Sequence, residues 1–315
     1  MAELNPPVAV TLHVLLALLG LLGNTFIFLV HFLDWLKTRE LNPCDFIINC
    51  ISLSNIFLQG TVLFNEICFF LFTVFYSQDW VVKSMVVIMS SLAFCSLWSS
   101  TVLCFYYCVK IINVNGAFIH KLKAKLPVLV PWMITFSVGM SWAAGLPSYW
   151  DLYRESPCPT ANYTGNITSL ISFKFKSKCV CLFQMYMLVS GAAFLIISFT
   201  AGAIIYSLCK HMIRMRRNNE GSGSGKINSH LSAAKTVTSL LLLYLFFYGA
   251  LNIIFNDTTE VGSLIFSLCF LAVSGFPTLN SIVLITGNRK LINTCKKIFG
   301  IRSAAGNTEV TVTTY

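Results

Sequence analysis

Charge is scarce in this chain. Only 11% of its 315 residues are Asp, Glu, Lys or Arg, less than half of the roughly 25% usual in a soluble globular domain. Hydrophobic residues make up 56% and the mean hydropathy is +0.73. Those values place the chain among membrane proteins before any motif is read. Acidic residues are scarcest where catalysis would need them. Asp34 and Asp45 fall at the ends of apolar runs, Asp151, Asp257 and Glu260 fall between runs, and Glu66 lies deep within one. An intramembrane aspartyl protease needs two facing carboxylates, so that chemistry is excluded. Neither H-E-x-x-H nor G-x-S-x-G occurs. The Gly/Ser linker at 221–225 is no phosphate loop, because Glu220 and Ile227 stand where that motif needs Gly and Ser/Thr. The chain reads as a non-enzyme with no cofactor.

Two further absences narrow the class. The net charge is +10, but no basic patch belongs to a soluble domain, which excludes nucleic acid as a partner. No Lys or Arg precedes Lys37, and the first apolar run is too long for a signal-peptide core, so it is expected to stay as a first span. Cysteine is plentiful, at 12 residues, yet most lie in or beside apolar runs or on the basic side. Cys158, with Cys179 and Cys181, is placed where oxidation is permitted, and a local bridge from Cys158 stays open. No cysteine spacing resembles a zinc site.

Long apolar runs are what the sequence does have. They lie at about 7–33, 45–73, 83–110, 127–150, 180–208, 233–255 and 261–286, each long enough to cross a bilayer as a helix. A barrel would need short alternating strands instead. The expected fold is all-α, a seven-transmembrane helix bundle over residues 1–300 with the N-terminus outside, followed by a cytoplasmic tail at 301–315. The positive residues agree with that topology. The predicted outer side keeps only Lys83, Arg154, Lys174, Lys176 and Lys178, and all other Lys and Arg fall inside. The glycosylation patterns at Asn162, Asn166 and Asn256 all fall outside. After the last span, Leu291, Ile292, Cys295, Ile298 and Phe299 share one face at 289–299 among Arg289, Lys290, Lys296 and Lys297. That pattern predicts an amphipathic helix lying on membrane lipids, with Cys295 placed for palmitoylation.

An ionisable residue deep in a span is a functional-site hypothesis by default. Glu66 is expected to act as counter-ion for an amine-bearing ligand in an outward-facing pocket; a pair with Lys83, or a protonated Glu66 bonded to Asn65, are the alternatives. Asn24, Asn49, Ser52, Ser54 and Asn55 are expected to be hydrogen-bond glue between helices.

Several runs taken in order resemble the bitter taste (type 2 taste) receptor family of G-protein-coupled receptors. They are GNTFIFLV at 23–30 with Asp34 and Trp35, Trp98 and Thr101 with FYYCVKI at 105–111, SLCKH at 207–211, HLSAAKT at 230–236, and GNRKL at 287–291. The sequence departs from the family pattern at Asn55 (often Arg), Ala193 (often Pro) and Phe276-Pro277 with Asn280-Ser281, which predicts a rebuilt inner polar latch, and Met89 with Ala93 stand where the resemblance has a third-span polar pair near the ligand. The resemblance implies detection of bitter small molecules and coupling to gustducin or a related inhibitory-class G protein. It also implies a pocket between the outer halves of spans two, three, five, six and seven. Helical spacing would line that pocket with Asn65, Glu66, Met85, Met89, Ala93, Met185, Tyr186, Val189, Phe247, Ala250, Leu251, Ile254, Phe266, Phe270 and Val273. At the inner end Lys110, His211, His230 and Lys235 would meet the G protein. A vomeronasal-type or other small-ligand receptor, and a seven-span transporter or channel, are the alternatives. The last of these would need charged residues along a continuous path, which one deep Glu does not supply.

Overall fold

A computed structural model describes residues 6–40, 42–76, 78–112, 117–154, 175–177, 180–217, 224–255, 264–298 and 300. The elements in order are α1 (Pro6–Thr38), α2 (Pro43–Leu71), α3 (Thr73–Tyr76), α4 (Asp79–Ile111), α5 (Ala117–Gly145), α6 (Ser148–Asp151), β1 (Leu152–Arg154), β2 (Phe175–Ser177), α7 (Val180–Arg217), α8 (Ser224–Phe255), α9 (Leu264–Gly287) and α10 (Arg289–Ile298). Among the described residues seven helices are long and apolar enough to cross a membrane: α1, α2, α4, α5, α7, α8 and α9. A helix satisfies its own backbone, which is what an apolar run in lipid must do. Large exposed side chains such as Leu22, Trp132 and Phe199 would be anomalous in water but face lipid in a bundle of this kind.

The helix α4 is the hub. Of its most apolar window 61% is buried, against 28% for α1 and for α5. It packs on α2, α5, α7 and α8, while α1 packs on α2 and α9. Small residues allow the close approach. Ser91, Ser96, Ser99 and Ser100 are all buried on α4, and a Cβ at Gly145 would come within 2.1 Å of Ser91 Oγ.

The helix ends differ from the hydropathy runs for local reasons. The helix α5 starts before the expected 127 and stops at Gly145, because Pro147 disfavours helix in the residue ahead of it; α6 resumes after the break. The helices α7 and α8 run past their spans into the polar loop, so Ser224 and Gly225 of the Gly/Ser linker are helical. Lys and Arg are good helix formers and water accepts their charge. The helix α1 ends on Arg39 with φ 56°, its N–H donating to Trp35 O at 2.8 Å, a left-handed cap. A short antiparallel pair, β1 with β2, registers Tyr153 opposite Lys176; the hydropathy reading had no strand there. Cys158, Cys179, Asn162, Asn166 and Asn256 lie outside the described residues.

At the end of the bundle where α1 stops, charges gather across three elements. Lys290 of α10 pairs with Asp34 at 2.5 Å and Asp45 at 3.7 Å, and Asp45 Oδ1 lies 3.8 Å from His31 Nε2. Leu291 is fully buried against the bundle and Cys295 is half-buried on the same helix.

Part of the expected polar glue runs through the middle: Asn24, Asn55 and Ser54 bond between helices, the last to Cys95 Sγ at 3.2 Å, while Ser52 Oγ and Asn49 Oδ1 have no partner among the described residues. Asn24 Nδ2 donates to Gly20 O at 2.8 Å and Pro277 O at 3.2 Å, and Asn55 Nδ2 donates to Asn24 Oδ1 at 3.1 Å. Asn280 Nδ2 reaches Ser100 Oγ at 3.5 Å. The latch is therefore built on Asn55, where the resemblance expects Arg, and it ties α1, α2, α4 and α9 together.

Candidate functional site

A cavity of about 240 Å³ lies between α1, α2, α4, α7, α8 and α9, at the end of the bundle where α2 finishes and α4 begins. Each helix contributes a stripe at helical spacing. From α2 come Leu58, Gln59, Val62, Asn65 and Glu66, and from α4 come Val86, Met89, Ser90, Ala93, Phe94 and Leu97. Rings close the space: Phe94 lies 4.9 Å from Tyr186, Phe247 lies 4.5 Å from Phe276, and His13 lies 4.8 Å from Phe270. The wall is mostly aliphatic and aromatic, with a few convergent polar groups, which is the make-up of a small-molecule site.

Of the residues proposed from the sequence, Asn65, Glu66, Met89, Ala93, Tyr186, Phe247, Leu251, Phe270 and Val273 come together on this wall. Four others do not. Met185 is 49% exposed, because one residue's offset from Tyr186 turns a side chain by about 100° around the helix. Ala250 is buried beside Leu251 but off the wall, Val189 packs into the core a turn below Tyr186, and Met85 sits a turn beyond Met89. Ile254 and Phe266 belong to α8 and α9, and their side chains fall outside the described part. Sequence reasoning missed His13, Gln59, Ser274, Phe276 and Pro277. A signal existed for Gln59: it stands seven residues before Glu66, on the same helical face.

Glu66 is half-buried on the cavity wall and forms no ion pair among the described residues; Lys83 does not reach it. Its neighbour Asn65 hydrogen-bonds the Tyr76 hydroxyl of α3. Burial raises the Tyr76 hydroxyl above the usual tyrosine range, the nearby Glu66 charge adds to that, and the Asn65 bond works against it.

Below the cavity the aromatic contacts continue. The Tyr244 hydroxyl donates to the Ser190 carbonyl, and Phe194 stacks on both Tyr244 and Tyr248 at 5.9 and 6.1 Å. At the opposite end of the bundle Lys110 and Lys235 are exposed, with Lys110 Nζ 5.5 Å over the Tyr106 ring. His211 and His230 lie on α7 and α8 at that same end, their side chains outside the described part.

Seven spanning helices around a mixed-polarity cavity at one end, with exposed cations and an amphipathic helix at the other, are the architecture of a membrane receptor. The profile of the family "Taste receptor protein (TAS2R)" matches residues 1–303. The human taste receptor type 2 member 39 is 28% identical over 302 residues, covering 94% of this chain and 88% of that one. The chicken (Gallus gallus) taste receptor type 2 member 40 is 30% identical over 279 residues, covering 86% and 88%. The rat (Rattus norvegicus) taste receptor type 2 member 119 is 30% identical over 293 residues, covering 88% and 80%. The chain belongs to the type 2 taste receptor family. It is thus a bitter-sensing G-protein-coupled receptor of the plasma membrane and not an enzyme, and the vomeronasal-type and transporter alternatives fall away.

Proposed function

We propose that this receptor binds amine-bearing bitter molecules in the cavity, with Glu66 as counter-ion, and signals to a gustducin-type inhibitory-class G protein at the opposite end. The observation that carries this reading is a half-buried carboxylate with no ion-pair partner among the described residues, on the wall of an otherwise apolar cavity. A charge there is poorly solvated, so a ligand cation is the natural group to compensate it. Methionine and aromatic walls repack around unlike ligands, which suits broad detection. On this reading Asn162, Asn166 and Asn256 carry glycans on the ligand side, and a palmitoyl chain on Cys295 holds α10 to the inner leaflet.

A ligand changes the receptor only through unequal affinity for its two arrangements. Phe247 on α8 touches both the cavity and Phe276 of α9. An agonist that wedges against Phe247 favours the arrangement in which the inner end of α8 swings away from α9. That motion opens a cleft in which a G-protein helix meets Lys110, His211, His230 and Lys235.

A diverse bitter panel, read through a chimeric G protein in cells expressing the receptor, identifies the agonists. Glu66→Gln is expected to weaken cationic agonists about tenfold, equivalent to ~1.4 kcal/mol, and to leave neutral agonists unchanged. Equal potency of cationic agonists on both proteins at matched surface expression rejects the counter-ion role. At the inner end, His230→Ala and Lys235→Ala are expected to lower maximal G-protein activation without shifting ligand affinity. Undiminished coupling removes those two residues from the mechanism.

A further inference from the structure

The inner end of α1 is held in an uncommon backbone conformation. Arg39 is the one non-glycine residue with positive φ among the described residues, at 56°. A residue with a Cβ visits that region rarely, and such outliers gather where a function holds them. Here the hold is visible. The Arg39 guanidinium lies 5.8 Å over the Trp35 ring, and Thr38 Oγ1 donates to Asp34 O at 3.0 Å while accepting from the Glu40 N–H at 3.3 Å. The turn leaves Lys37 and Arg39 exposed. Immediately before them Leu29, Phe32, Leu33 and Leu36 are exposed along α1, the surface that faces acyl chains. The two cations therefore stand where that surface ends, at the level of lipid headgroups.

The helix α10 brings more cations to the same level. Its Lys290 pairs with Asp34 and Asp45, and Leu291 is fully buried against the bundle, so α10 is fixed to the end of α1. Lys297 follows Lys290 by seven residues, on the same helical face and about 10 Å along the axis. Lys37 follows Asp34 by three, on the same face of α1 and nearer the water. Both thus lie on the side of their helix that carries the joint. Lys296 and Lys297 are exposed, and Ile298 beside them is 64% exposed, which turns the end of α10 toward lipid. Across the ends of α1, α2 and α10, Lys and Arg outnumber Asp and Glu by six to three.

We infer that the joint between α1 and α10 binds the phosphorylated headgroup of an anionic inner-leaflet lipid. Arg39 offers a planar fork that matches phosphate oxygens, and the stack on Trp35 holds it ready. Lys37 approaches from α1, and Lys296 and Lys297 approach from α10, as compact charges. Lys290 takes no part, because its charge is committed to Asp34 and Asp45. The acyl chains lie along the exposed leucines of α1. A headgroup carrying several phosphates engages both helices at once, whereas a singly charged headgroup engages one. The site is separate from the ligand cavity and from the residues proposed to meet the G protein.

The test uses the purified full-length receptor and native mass spectrometry. Phosphatidylcholine, phosphatidylserine and phosphatidylinositol bisphosphate are offered together in equal amounts. The bisphosphate should be retained in preference to both others, and less so as salt rises. Lys296→Gln/Lys297→Gln and Arg39→Gly should each weaken it, by about fivefold for every cation removed. Glycine suits the left-handed turn, so Arg39→Gly is expected to melt no lower than the wild type. Lys121→Gln/Lys125→Gln, at the start of α5, should change nothing. Retention of either other lipid as strongly as the bisphosphate overturns the site, as does undiminished binding in both the α1 and the α10 variants. An equal loss in the α5 variant overturns it as well, because the attraction would then belong to the whole basic inner face. Displacement by an equal concentration of soluble inositol trisphosphate rejects a lipid as the ligand, since the headgroup alone would suffice. Loss of G-protein activation without loss of lipid in Lys296→Gln/Lys297→Gln gives those cations to a protein partner and overturns the proposal too.

Discussion

Gly287→Ala is expected to raise agonist-independent signalling severalfold. Gly287 closes α9, and a Cβ there would stand 2.0 Å from Thr236 Oγ1, 2.9 Å from its Cγ2 and 3.0 Å from its Cβ. Thr236 is buried on α8 and β-branched, so its side chain has no easy rotamer to retreat into. The helices must part instead. Overpacking of this sort costs about 1–3 kcal/mol. If that strain is relieved by the outward swing of α8, the equilibrium between arrangements moves by roughly 5- to 150-fold. Adding Thr236→Ala removes Oγ1 and Cγ2, and should return most of the basal signal to the wild-type level. Wild-type basal signalling in Gly287→Ala, at normal surface expression, would mean that α8 and α9 need not separate at this point for coupling.

Asn24→Leu is expected to be the most damaging of the conservative-volume changes in the bundle. Asn24 is fully buried and serves three groups at once: Gly20 O, Pro277 O and Asn55 Nδ2. A hydrogen bond between membrane helices contributes only about 0.6 kcal/mol on average. The larger effect is orphaning, because Asn55 is also fully buried and its Oδ1 already has no partner among the described residues. Leaving its whole amide unbonded, along with the Pro277 carbonyl, should cost about 2 kcal/mol or more. The purified receptor would melt several degrees lower and reach the cell surface less. The double change Asn24→Leu/Asn55→Leu should recover part of the loss, since removing both partners leaves fewer polar groups stranded. Thermal melting in detergent decides the matter. A single variant as stable as wild type, or a double variant worse than the two singles added, would contradict this account of the latch.

Much of the cavity was legible because its residues announce themselves chemically. Glu66 and Asn65 are polar in an apolar run, and Met89, Phe247 and Phe270 fall on the right turns of the right helices. The errors are errors of rotation and depth. Met185 was taken together with Tyr186, of which only Tyr186 lines the cavity; Met85 lies one turn too far out, and Val189 one turn too deep. Span one was left out of the pocket altogether, although His13 stands there as the one ionisable side chain in an apolar stretch from Val8 to Gly23. Nothing in the local sequence says that α1 leans against α2 and α9 closely enough to bring His13 beside Phe270.

The number of spans, their helical form and the membership of the family follow from the chain alone. Lipid demands long runs with satisfied backbones, and that demand is written residue by residue. Which face of each helix looks into the cavity was decided only when the helices packed. A soluble helix advertises its inner face by the contrast between apolar and polar sides. Here lipid is as apolar as the core, so α4 and α8 show little contrast between an inner and an outer face, and which of Met185 and Tyr186 turns inward rests on contacts between helices far apart in the chain.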